Sequence, residues 1–64
     1  MERSEFTALC KGVETGSARF VENRLLHTVG KVIACEGNRF EVEVENRHEQ
    51  WPSENCREKW EISS

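Results

Sequence analysis

The sequence predicts a mainly β domain, a small five-stranded antiparallel barrel with a short N-terminal helix, and three observations carry that reading. Phe40, Val42 and Val44 alternate with Glu41, Glu43 and Glu45, the period of a strand with one apolar and one charged face. A Glu36-Gly37-Asn38 turn separates this run from an earlier apolar one through Val29, Gly30, Lys31 and Val32, which makes the two an antiparallel hairpin. The chain has 64 residues, which leaves room for one core, and a domain so short buries only roughly 60% of the surface its unfolded form exposes.

Taken in order, Ser4 to Lys11 places Phe6, Leu9, Cys10 and then Val13 at helical spacing, with Ser4 to cap the helix and Gly12 to stop it. Two turns of helix are marginal without packing, so an extended lead-in is the alternative. Gly12 to Ser17 reads as a loop. Residues 1–16 are thus a helix and loop, and residues 17–64 the barrel, within a single domain.

Ala18 to His27 admits two readings. As a helix it starts after Ser17 and sets Val21, Leu25 and Leu26 near one face; as β, it is a short strand from Arg19 followed by a turn over Glu22 to Arg24. The tetrapeptide Val-Glu-Asn-Arg favours β. It occurs at Val21 to Arg24 and again at Val44 to Arg47, each time shortly after an Arg-Phe pair. The second copy ends a clear strand, which suggests the same turn at the first, since Asn tolerates the left-handed region.

The hairpin has two possible registers. A three-residue loop sets Ala34 opposite Phe40, Val32 opposite Val42 and Lys31 opposite Glu43 on the wet face. A loop of two or four residues sets Cys35 opposite Phe40 and Ile33 opposite Val42, and turns Lys31 inward, where an unpartnered charge is costly. The first is therefore expected, with Ile33 left outside. Beyond Asn46-Arg47 a strand runs to Trp51 and is ended by Pro52, Ser53 to Cys56 fit one helical or 3₁₀ turn, and Arg57 to Ile62 read as the last strand, with Trp60 and Ile62 on one face. The expected core adds Phe20, Leu25, Leu26 and Val29 to the residues already named.

A strand order of this kind, with Val29-Gly30-Lys31-Val32, the turn at Gly37, the alternating Phe40-Val42-Val44 and then Trp51-Pro52-Ser53-Glu54-Asn55-Cys56, resembles the SH3-like small barrels, including their photosystem accessory subunit, KOW and Tudor-like branches. The resemblance covers about Ser17 to Ile62 and is one of architecture. It implies a binding platform at the loops beside the first two strands, with no catalytic residue and no cofactor. The chain departs from the aromatic-lined grooves of proline-peptide and methyl-lysine readers, having no Tyr and two Trp.

A formal charge of −3 argues against nonspecific attraction to phosphate backbones or anionic lipid. No run approaches the 18 or so apolar residues of a membrane helix, and the start Met-Glu-Arg-Ser-Glu lacks a basic, then apolar, leader. A cytoplasmic monomer is expected. Cys10, Cys35 and Cys56 form an odd set without a close pair, so free thiols are expected over bridges, with at most one bridge. Together with His27 and His48 they are soft-metal ligands, but no C-x-x-C or H-x-x-x-H spacing gathers them, and no metal site is expected.

An enzyme is not expected of a chain too small for a deep cleft. The expected role is a protein-interaction or regulatory accessory module, with Glu41, Glu43, Glu45 and Trp51 as the candidate surface for a protein partner. The plainer reading of those glutamates is a solvated face kept charged against edge pairing. The alternative is nucleic-acid binding through Arg19, Arg24, Arg39 and Arg47, with Lys31, if the two Asn-Arg turns bring them together.

Overall fold

The structure is a computed structural model and describes residues 1–59. Helix α1 spans Arg3–Glu14, longer at both ends than the sequence suggests. Glu2, not Ser4, stands at the cap, and its N–H donates to Glu5 Oε1 at 3.2 Å, one arm of a capping box. Gly12 lies inside the helix. The stop comes at Gly16, whose φ of +94° closes a Schellman motif: the Gly16 N–H donates to Val13 O and the Ser17 N–H to Gly12 O.

Five strands follow: β1 (Phe20–Asn23), β2 (Thr28–Glu36), β3 (Arg39–Val44), β4 (Arg47–Pro52) and, after a 3₁₀ turn at Ser53–Asn55, β5 (Cys56–Lys59). They form one antiparallel sheet in the order β4-β3-β2-β1-β5. The protein is therefore mainly β with one N-terminal helix, and the ambiguous Ala18 to His27 segment resolves to β. Trp60 and Ile62, expected to end the last strand, lie outside the described residues.

The β2–β3 hairpin uses both registers. Next to the turn Glu36 faces Arg39 and Cys35 faces Phe40, the pairing of a two-residue Gly37-Asn38 loop; further on Val32 faces Val42 and Lys31 faces Glu43, the pairing of the three-residue loop. A β-bulge at Ile33 joins the halves. The expected pairing of Ala34 with Phe40 is corrected by it, because Ala34 faces Glu41.

The two Val-Glu-Asn-Arg copies differ in conformation. At the second, Glu45 and Asn46 take φ of +49° and +68°, the two left-handed residues of a type I′ turn between Val44 and Arg47. At the first, Asn23 is the last residue of β1, 4% exposed, and the left-handed residue is His27. The expectation of one shared turn geometry fails, because the four-residue Arg24 to His27 loop gives Asn23 a different task.

The core gathers Leu9 from α1 with Val21, Val32, Phe40, Val42, Val44, Trp51 and Cys56, all 6% exposed or less. The Phe6 ring lies 5.0 Å from that of Phe40, which docks the helix on the sheet. Gly30 is buried beneath Trp51 and has no room for a side chain, since a Cβ would meet Val44, Trp51 and Val42 atoms at 3.0 to 3.1 Å. Leu25, Leu26 and Val29 are not core: they are 70, 56 and 42% exposed, while Ile33, expected outside, is 38% exposed.

The cysteines correct the expectation of free thiols. Cys10 of α1 and Cys35 of β2 form a disulfide with Cα atoms 6.0 Å apart, and Cys56 remains free and buried. A sequence separation of 25 conceals the pair, which exists because α1 lies across β2 near its turn.

Candidate functional site

The site begins with Asn23. Its backbone ends β1 while its buried side chain turns over the following loop: Oδ1 accepts the N–H of Leu25 at 2.9 Å and of Leu26 at 3.1 Å. Its carbonyl accepts the N–H of His27, and the Arg24 N–H donates to Asn55 O, both at 2.7 Å. Every backbone donor of the Arg24 to His27 loop is thus engaged inside the protein. The Thr28 hydroxyl donates to Leu26 O at 3.0 Å, fixing the exit of the loop. Two adjacent leucines are therefore held outward on a turn whose amides make no demand on solvent.

Val29 extends the apolar tip onto the outer face of the sheet, where Glu22 faces it from β1. Glu22 is held by Arg57, whose Nε and Nη2 both lie 2.9 Å from Oε1, and that hydrogen bond keeps the Glu22 carboxyl below its usual value despite the opposing pull of desolvation. Arg24 and His27, both exposed, flank the leucines. The tip is thus apolar with a basic border.

The residues singled out from sequence fall elsewhere. Glu41 and Glu43 do project from the outer face of β3, but each is answered: His48 Nδ1 lies 3.3 Å from Glu41 Oε2, and Lys31 stands opposite Glu43. Glu45 leaves the strand for the β3–β4 turn. Trp51 is 3% exposed, and its indole N–H donates to Glu49 Oε1 at 3.0 Å. It belongs to the core and offers no surface to a partner.

The arginines do not converge. Arg19 pairs with Glu58 at 2.6 Å and Arg47 with Glu49 at 3.1 Å. Arg24 stands at the β1–β2 turn, and Arg39 at the opposite end of the sheet beside the β2–β3 turn. A depression of about 500 Å³ there is lined by Asn38, Arg39, Pro52, Ser53 and Glu54. Among the described residues no group of three or more His, Cys, Asp or Glu side chains is placed to hold a metal ion, and no helix is long and apolar enough to cross a membrane.

Sequence reasoning missed Leu25, Leu26 and Asn23 as a unit. The signal was present: an Asn two and three residues ahead of paired leucines is the pattern of an Asx turn. No protein-family model, curated protein or solved structure matches the chain.

Proposed function

We propose that this protein is a small interaction module of SH3-like architecture that docks the Leu25-Leu26 tip into an apolar, carboxylate-edged pocket on a protein partner. The observation that supports it is the exposure of two adjacent leucines on a loop with all backbone donors satisfied internally. Burying the pair would contribute about 1.5–3 kcal/mol per side chain before the cost of association. Little is lost in exchange, because the loop is already ordered and its N–H groups need no water. Carboxylates at the edge of the pocket complement Arg24 and His27.

In this reading Glu41 and Glu43, already opposed by His48 and Lys31, keep the sheet soluble rather than recognise anything. It takes a monomer in the cytoplasm, where a bond such as Cys10–Cys35 is transient rather than permanent. The test is selection of displayed random peptides on the wild type, followed by titration against Leu25→Asp/Leu26→Asp. Enriched peptides should combine apolar residues with Asp or Glu and lose at least tenfold in affinity for the double variant. Equal binding to the variant defeats the proposal, as does salt-sensitive binding of labelled oligonucleotides in its place.

A further inference from the structure

We infer that Cys10–Cys35 is a redox latch holding helix α1 as a cover over the apolar surface around Phe40. The helix is attached in two ways. Phe6, Leu9 and Val13 press side chains toward the core, and the disulfide ties the helix to β2. Among the described residues no backbone hydrogen bond joins α1 to a strand: those of its ends close on the helix itself, Phe6 N–H to Glu2 O and Thr15 N–H to Lys11 O. The five strands, by contrast, are joined through backbone ladders. Opening α1 therefore breaks one apolar contact set and no sheet pairing, provided the disulfide is first cut.

The cut is a thiol–disulfide exchange with a dithiol protein of the thioredoxin class. One reductant thiolate attacks a sulfur of Cys10–Cys35, the S–S bond breaks, and a mixed disulfide forms while the other cysteine leaves as thiolate and takes a proton. The second reductant thiol resolves the mixed disulfide. The reductant ends as a disulfide, and Cys10 and Cys35 as two thiols carrying the two electrons and two protons it gave up. Cys56 stays outside this exchange: it is 1% exposed at the start of β5, and burial holds its thiol protonated.

Once reduced, a helix of 12 residues has little stability of its own. The disulfide spans a sequence separation of 25, but while the sheet stays folded the free part of its loop runs only from Cys10 to the start of β1 at Phe20, for which the cross-link suppresses opening by a factor on the order of a hundred. Released, α1 uncovers Phe40 and its neighbours. This latch stands or falls independently of the Leu25-Leu26 tip, which lies on another part of the sheet.

Amide hydrogen exchange on the full chain, oxidised and then reduced with dithiothreitol, tests it. Protection of the Phe6 to Val13 amides should fall by about a hundredfold, to well below that of Val32 and Val42, and fluorescence of an added apolar dye should rise several-fold. Reoxidation should restore both, and Cys10→Ser/Cys35→Ser should match the reduced protein without reductant. Helix and sheet amides left with equal protection after reduction would show a global staple and overturn the latch. Unchanged α1 protection on reduction would overturn it equally.

Discussion

The two copies of Val-Glu-Asn-Arg allow one substitution to be made twice, with different expected results. In Asn23→Gly the Leu25 and Leu26 amides lose Oδ1. Both amides sit on an exposed loop and regain water, so each lost bond costs about 1 kcal/mol rather than a full desolvation penalty. Glycine at the end of β1 adds roughly 0.5–1 kcal/mol of backbone entropy. The expected loss is about 2–3 kcal/mol, a large share of the roughly 3–10 kcal/mol available to a chain of this length. In Asn46→Gly no comparable bond is lost, and the φ of +68° is one that glycine adopts freely. The net change should stay within about 0.5 kcal/mol. Urea unfolding followed by tryptophan fluorescence measures both, and with a slope near ~1 kcal/mol per molar the midpoints should separate by about 2 M. Equal losses at the two positions, or a larger loss at Asn46, would refute the argument that the side chain of Asn23 organises the first loop.

Two further outcomes follow from the core. Gly30→Ala should destabilise by about 1–3 kcal/mol, because its Cβ falls within 3.0 to 3.1 Å of Val44, Trp51 and Val42 in a region with no space to yield; a chemical denaturation midpoint unchanged from wild type would remove the explanation for glycine there. Cys56 sets an alkaline limit. Its folded thiol is pushed up to about 11 from 9.0 by burial, so the folded state keeps a proton that the unfolded chain gives up. That stability is whole below pH 9 and lost as pH rises toward 11, by up to about 2–3 kcal/mol. Cys56→Ala should flatten this part of the stability profile even while lowering it throughout, and an unchanged slope between pH 9 and 11 would place the loss in other groups.

Much of the sheet was legible because a strand with one wet face writes a period of two into the chain. Phe40, Val42 and Val44 are buried as their alternation requires, and the cost of burying Lys31 correctly set it opposite Glu43. Helix ends were less legible. Ser4 is the better capping residue in isolation, yet Glu2 with Glu5 makes the box, and Gly12 is tolerated inside the helix while Gly16 stops it. The apolar tip was misread for a different reason. Hydrophobicity assigns Leu25 and Leu26 inward, and only the hydrogen bonds of Asn23 aim them out. The disulfide could not be read at all, since neither partner marks the other along the chain.

The bulge at Ile33 explains why a choice between two registers had no right answer. Side chains along β2 alternate, so a uniform three-residue-loop register that keeps Lys31 outside and Val32 inside would also turn Cys35 outside, away from α1. The uniform two-residue-loop register turns Cys35 toward Phe40 and the helix, and buries Lys31. One extra residue resets the alternation between Val32 and Ala34, so Lys31 meets Glu43 outside while Cys35 meets Phe40 inside and reaches Cys10. Ile33 itself is left 38% exposed by this arrangement. An exposed isoleucine in the middle of the longest strand is thus the geometric condition for joining the helix to the sheet through Cys10–Cys35. The hairpin that announces the fold in the sequence is also, through its one irregular residue, what makes the latch possible.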